Sequence, residues 1–346
     1  MGIANQTDIT VGERTPFVSV IVASRRDTET LRRCLSALER QTYPKEMFEI
    51  IVASVSACSV EKQEPLIKNV VCGSLNQAEA RDVAERYARG EILAFCDDDC
   101  VVPQTWLRDG VRHFAKDKML ATVGGPAVPP IDGVSIRQAV AGLLHMSYLG
   151  TGSHSYAFTS HGRVEPFLCL PTHIIGANMF VDRKKFLEVG GFGKLVPQEE
   201  DRLNNKLLRK GYKLLYDPQL TCIHHQRRFG LGYIKNLFWL AKGSGRFAKE
   251  NFRALNKLYL IPAVFTLSIL LSPLLIALSQ TFLNLFIIAA AAYILAVAVE
   301  SLRLVRRKRE HKMLTALIMP IAFFLHHFVF GLGWIAGLLS RRRYGR

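Results

Sequence analysis

The chain has 346 residues, 49% of them hydrophobic and 21% charged, and its 45 Lys and Arg against 29 Asp and Glu give a formal net charge of +16. That length provides for one large domain or two smaller ones, and the balance of apolar and charged residues excludes an intrinsically disordered chain. Residues 251–346 hold 12 of the basic and 2 of the acidic residues, so +10 of the excess sits in the most apolar stretch and +6 elsewhere, which fits a membrane and not a nucleic acid.

The opening residues, MGIANQTDITVGERTP, contain no apolar core of a secretory signal, and Gln6 stands where a myristoylation pattern requires Ser or Thr. Residues 1–15 are expected to form a disordered lead-in. Val18–Ala23 and Phe48–Ala53 are short β-branched runs, suited to strands buried on both faces. Between them Asp27 or Thr28 can cap a helix that aligns Leu31, Cys34, Leu35 and Leu38 on one side. A polar helix over Asn76–Arg89 then leads through Gly90 into a third strand, Ile92–Cys96. This alternation predicts an α/β fold with a doubly wound, mainly parallel sheet, in which ligands bind beyond the carboxyl ends of the strands.

Asp97-Asp98-Asp99 follow directly on that third strand. Three adjacent carboxylates repel one another and need a positive partner; a divalent cation carrying a diphosphate supplies one, since hard oxygen ligands suit Mg²⁺ or Mn²⁺. A solvated acidic turn is the plainer alternative. Cys96 and Cys100 bracket the aspartates, and soft sulfur beside hard oxygen reads as packing. The seven cysteines are odd in number and lack a CxxC pair, which points to reduced thiols.

A second acid cluster, Glu199-Glu200-Asp201, opens a helix, where acids also simply suit the positive N-terminal end. His224 and His225 follow a short strand; neighbours on a strand face opposite ways, so one of them, His224 by preference, can join a metal site. Arg227 and Arg228 can clamp a diphosphate. The next stretch, 231–257, mixes aromatic and basic residues as an amphipathic helix at a membrane interface does, although its aromatics could equally pack in a core. Ile136–Tyr148 is a further candidate for membrane contact, or for a lid.

Residues 258–346 read as a membrane domain of two to three transmembrane helices. Segments 258–278 and 282–302 each supply the roughly 20 apolar residues of a span, joined by a tight hairpin. The basic connection Arg303–Lys312 is expected on the cytoplasmic side, and with it everything before Leu258. Segment 313–339 is long enough to cross, but crossing would export the basic tail from Ser340 to Arg346. Spanning, lying in the interface and re-entering all stay open for it.

Several segments together carry a resemblance: Val18–Gln41 with TYP, FEIIVAS, the Ala80-Arg81 helix, GEILAFCDDDCVVPQTWL, GANMFVDRKKFLEVGGF and QEEDRLNNKLLRKGYKLLYDP. Over roughly residues 16–250 the chain resembles the family 2 glycosyltransferases, inverting enzymes of the GT-A, Rossmann-like fold that use nucleotide-diphospho-sugar donors. With its apolar tail it looks like the bacterial branch that builds polysaccharide on lipid carriers, such as succinoglycan-type glucosyltransferases. The resemblance implies a catalytic domain over 16–230. It implies Mn²⁺ or Mg²⁺ bound by Asp97 and Asp99 with His224, and a donor held by Ala23, Ser24, Arg25, Ser54, Arg81, Asp97, Asp98, Asn178, Arg227 and Arg228. Gly176 and Ala177 would border the sugar, though a strand-entry turn explains Ala177 as well. The general base falls within Glu199-Glu200-Asp201, and register with Leu203, Leu207 and Gly211 favours Glu200.

Two departures matter. Ser54 and Val55 stand where relatives carry an acid pair that reads the nucleobase, and KGSGRF replaces the QxxRW box of processive synthases. The first keeps open a non-catalytic nucleotide-sugar-binding subunit; the second favours addition of one sugar. The expectation is therefore a multi-pass enzyme of the bacterial inner membrane with a cytoplasmic catalytic domain. Its acceptor is a polyprenyl-diphosphate-linked saccharide or, as in dolichyl-phosphate-mannose synthase-like proteins, polyprenyl phosphate itself. Donor sugar, linkage and oligomeric state are not legible, and no nucleic-acid partner is expected.

Overall fold

In the computed structural model the described residues are 15–60, 62–73, 76–193, 197–225, 227–250 and 257–340, so all of the expected lead-in but Thr15, and the tail beyond Ser340, fall outside them. The chain runs through β1 (Val18–Ser24), α1 (Glu29–Glu39), β2 (Phe48–Ser54), β3 (Leu66–Val71), α2 (Gln77–Glu85), β4 (Ile92–Asp97), β5 (Cys100–Val101) and α3 (Trp106–Val111). It continues with β6 (Leu120–Gly124), β7 (Ala127–Val128), α4 (Ile136–Met146), α5 (Tyr148–Thr151), β8 (Phe167–Leu168), β9 (Met179–Asp182), α6 (Arg183–Glu188) and α7 (Glu199–Arg209). β10 (Lys213–Tyr216), β11 (Cys222–His224), α8 (Leu231–Glu250), α9 (Leu260–Leu278), α10 (Gln280–Val305) and α11 (Lys312–Leu339) complete it.

β1 and β2 are buried along their whole length, as their β-branched runs require. They are the second and third strands of an eight-stranded sheet of order β3-β2-β1-β4-β9-β6-β10-β8. The sheet is mixed where a mainly parallel one was expected: β9 lies antiparallel between β4 and β6. Thr28, not Asp27, caps α1, its hydroxyl accepting from Leu31 N at 3.1 Å, and Leu31, Cys34, Leu35 and Leu38 pack on the sheet. Each such buried Leu contributes about 1.5–3 kcal/mol. A three-stranded sheet, β5-β11-β7, sits beyond the carboxyl end of β4. It is this small sheet that brings the end of the catalytic half of the chain back over the Asp97–Asp99 turn.

Three helical segments, 257–278, 280–305 and 312–339, are long and apolar enough to cross a membrane. α9 and α10 form a hairpin whose leucines and isoleucines, such as Leu274, Leu278, Ile287 and Ile288, are mostly exposed. α11 is one unbroken helix through Pro320. It runs beside α8 at close range: a Cβ at Gly333 or Gly337 would strike the α8 backbone at Phe238 or Lys242, and one at Gly245 would strike Trp334. Small residues spaced in this way let two helix backbones meet. The aromatics of α8 are split, Tyr233 and Phe247 buried and Trp239 exposed.

Candidate functional site

The two acid clusters meet across one buried cation. Arg81, on α2, is 1% exposed. Its Nη2 donates to Asp97 Oδ1 at 2.7 Å and its Nη1 to Glu200 Oε1 at 2.9 Å, while the backbone N–H of Gly176 donates to the same Glu200 oxygen at 3.1 Å. Gly176 has to be glycine because a Cβ there would collide with the guanidinium. Gln77 Nε2 adds a donor to Asp97 Oδ1 at 3.0 Å.

Asp97 ends β4, and Asp98 and Asp99 turn the chain into β5. Asp98 accepts a short hydrogen bond from Ser24 Oγ. His224 Nε2 lies 3.1 Å from Asp99 Oδ1 and 3.8 Å from Asp97 Oδ2. Burial alone would lower the imidazole's pKa, but Cys100, Asp99 and Asp97 outweigh it and hold His224 up to about 10. Burial likewise lifts Asp97 to about 6 against the pull of Arg81. His224 Nε2 thus faces one carboxylate oxygen of Asp99 and, farther off, one of Asp97, and such oxygen and nitrogen donors suit Mn²⁺ or Mg²⁺.

In the second cluster burial sorts the acids. Glu199 and Asp201 are 7% and 8% exposed. Burial and then the charge of Glu200 push both upward, Asp201 to about 7. Glu200 is the member left partly open, with one oxygen held by Arg81 and Gly176. That sorting depends on helix phase, which the three-letter run EED does not display.

The acid turn opens into a cavity of about 830 Å³ that also reaches the apolar helices. Ala23, Ser24, Arg25, Arg26 and Thr28 line its polar end with Asp97, Asp98, Asp99 and His224. His145, Tyr148, Thr151 and His154, from α4 and α5 and the turn after them, line its middle. Leu258, Ile261, Pro262, Phe265 and Phe330 line its far end. Arg227 belongs to this cavity and, with Arg228 and Arg33, to an adjoining open groove.

Residues 19–186 match the family described as glycosyl transferase family 2. The chain carries a family 2 glycosyltransferase domain. Among its relatives, glycosyltransferase AglE of Haloferax volcanii is 27% identical over 66% of this chain and 73% of its own. A dolichyl N-acetyl-alpha-D-glucosaminyl phosphate 3-beta-D-2,3-diacetamido-2,3-dideoxy-beta-D-glucuronosyltransferase of Methanococcus voltae is 22% identical over 94% of this chain and 98% of its own. The fold is similar to that of mannosyltransferase PcManGT from Pyrobaculum calidifontis, solved with GDP-Man and Mn²⁺, with a TM-score of 0.64 and 17% identity, covering 95% of this chain and 89% of that one. The fold is thus GT-A-like α/β, and the protein is a glycosyltransferase.

Three expected donor contacts are elsewhere in this glycosyltransferase. Asn178 is wholly buried and its amide is spent on the core, accepting from Trp106 Nε1 at 2.8 Å and donating to Leu220 O at 2.6 Å. Ser54 is wholly buried too, its hydroxyl accepting from Asn69 Nδ2 at 2.7 Å, so Val55 takes its place at the cavity wall. Arg81 stands behind the acids and positions them. Cys100, expected only to pack, is within reach of the metal ligands: a donor atom each from Asp99, Cys100 and His224 lie within 4.8 Å of one another. The reading from residue types overlooked Arg26, Gln77, Asn76, His145 and His154; His145 sat in a segment marked only as a lid or membrane contact, and His154 lies just beyond it.

Proposed function

We propose that this glycosyltransferase is membrane-bound and inverting and moves one sugar from a nucleotide-diphospho-sugar to a saccharide carried on a polyprenyl-type lipid phosphate. One observation carries this reading: a single cavity joins the Asp97–Asp99 turn to apolar helices long enough to enter a bilayer. A donor needs the polar end and a lipid tail needs the apolar one. The Methanococcus voltae relative, named for a dolichyl-linked amino sugar phosphate, supports a lipid-linked saccharide acceptor, and the PcManGT complex supports a nucleotide sugar with Mn²⁺. Bacterial polysaccharide synthesis, the setting read from the motifs, shares this chemistry.

In the proposed reaction the acceptor hydroxyl attacks the anomeric carbon as the bond to the nucleoside diphosphate breaks, and Glu200 takes the hydroxyl proton. Asp97, Asp99 and His224 would hold the cation, which when bound offsets charge on the departing diphosphate. Arg25, Arg26 and Arg227 face the same cavity and suit the phosphates. Arg81 keeps Glu200 aligned with the acid turn. His145 is kept neutral, lowered to about 4 by burial, and its Nδ1 donates to Ala141 O at 2.8 Å, which leaves Nε2 as an acceptor for a sugar hydroxyl.

The packing of α11 supports two spans with a third helix in the interface. α11 meets the first turns of α9, where Thr266 Oγ1 donates to Phe328 O at 3.1 Å, and α10 from its middle onward, where Tyr293 pairs with His327 at 3.0 Å. Its other side meets the catalytic domain, His327 donating to Leu149 O at 2.9 Å and Tyr233 pairing with His326 at 2.7 Å. We place the catalytic domain on the cytoplasmic face of the plasma membrane.

Purified protein supplied with nucleotide sugars, Mn²⁺ and lipid-linked acceptors tests the reaction. Glu200→Gln should lower turnover by roughly 10²–10⁴ while donor still binds. A lipid phosphate acceptor already carries its nucleophilic charge and needs no base, so full activity of that variant with polyprenyl phosphate would replace this reading by direct phosphate glycosylation.

A further inference from the structure

The small sheet sets Cys100 and His224 directly opposite one another on antiparallel strands. Directly paired residues share a face with their Cβ atoms about 5 Å apart, so the thiol and the imidazole project together. Asp99, the residue before Cys100, brings its carboxylate to the same point: one donor atom from each of the three lies within 4.8 Å of the others. Cys100 is wholly buried, as are Cys34 and Cys96 beside it, and Cys222 is nearly so. Cys34 Sγ lies 3.9 Å from Cys96 Sγ and Cys222 Sγ donates to Ala177 O at 3.6 Å, while Cys96 and Cys222 also share hydrogen bonds with the Cys100 thiol. Among the described residues, Cys100 is the thiol grouped with a carboxylate and an imidazole.

We propose that Cys100 is a sulfur ligand of the cation site formed by Asp99 and His224, and that this site therefore takes Zn²⁺ or Co²⁺ more tightly than Mg²⁺. One sulfur and one imidazole nitrogen beside the carboxylate oxygens of Asp99 and Asp97 form a donor set that borderline-soft cations accept, and Zn²⁺ can expand to five-coordinate to admit a substrate oxygen. Mg²⁺ prefers six oxygens and gains little from sulfur. On binding, the thiol releases its proton to solvent and the sulfur–metal bond forms, with no change of oxidation state. The inference rests on the reading of the acid turn as a cation site, and its test reads metal binding, apart from sugar transfer.

Full-length protein in detergent is titrated with Co²⁺ alone and followed by absorption. A sulfur ligand gives a thiolate-to-cobalt charge-transfer band in the near ultraviolet. Cys100→Ser should abolish that band, whereas Cys34→Ser and Cys222→Ser retain it. In competition with Co²⁺, Zn²⁺ should bind Cys100→Ser at least about tenfold more weakly, while Mn²⁺ affinity changes less. One equivalent of Co²⁺ bound by the native protein without the band overturns the proposal with no variant needed. So does a band that survives Cys100→Ser or disappears in Cys222→Ser. Absence of any Co²⁺ binding sensitive to Asp99→Asn would overturn the cation-site reading beneath it as well.

Discussion

Arg81 links Asp97 to Glu200, the latter 119 positions along the chain from it, and does so while almost wholly buried. A buried guanidinium is tolerable only because two carboxylates meet it, and a bidentate partner suits Arg in a way that Lys cannot copy. Removing it with Arg81→Met should cost about 3 kcal/mol, near the lower end for breaking a buried ion pair because both carboxylates keep some water. Denaturant titration of the variant checks this, with Arg81→Lys recovering part of the loss. Unchanged stability in Arg81→Met would show that the acids do not depend on the pairing.

At the scale of elements, β2 shows how a strand buried on both faces carries a charge. Glu49 is wholly buried and accepts from Ser19 Oγ at 2.8 Å, from the Arg89 backbone N–H at 2.8 Å and from Lys68 at 2.7 Å. Burial would raise its pKa, but these donors, led by Lys68, prevail and hold it below the ordinary 4.5. The unfolded chain therefore binds a proton more readily than the folded one as pH falls. The stabilisation is present in full above the unfolded value and is lost as pH drops through the folded one. Urea midpoints measured from pH 6 down to pH 3 should fall steeply for the native protein and less so for Glu49→Gln. Parallel curves would remove Glu49 from the acid sensitivity of the sheet.

Across the whole molecule, α11 connects the catalytic domain to the α9–α10 hairpin. The loop before it is tied to the catalytic domain, since Lys308 donates to Ile131 O and the Arg309 backbone N–H to Asp132 Oδ1 at 3.0 Å. Near its other end Arg246 of α8 donates to Ser340 Oγ at 3.0 Å. Both ends thus meet elements from before α9, while Leu314, Leu317, Ile321 and Phe324 leave an exposed apolar stripe between them. A helix in the plane of the interface keeps its basic flanks in water on one side. In the proposed topology a reporter fused after Arg346 lies on the same side as the catalytic domain. Labelling of that reporter from the opposite face would instead make α11 a third span.

Much of the fold was legible because it depends on local pattern. The runs VSVIVAS and FEIIVAS are too apolar to be anything but buried strands, and the long apolar segments at the end of the chain read directly as helices. The DDD run declared itself because three adjacent like charges demand a partner wherever they lie. What required the tertiary structure was direction. Asn178 and Ser54 point into the core, and Arg81 behind the acids, because strand register and helix phase decide which way a side chain faces. The sequence by itself determined which chemistry was present: carboxylates for a cation, arginines for phosphates and an apolar end for a bilayer. Only the tertiary structure decided which of these groups meet. Pairings such as Cys100 opposite His224, or Asp97 with Glu200 through Arg81, join residues distant along the chain, and the geometry of sheet and helix brings them together.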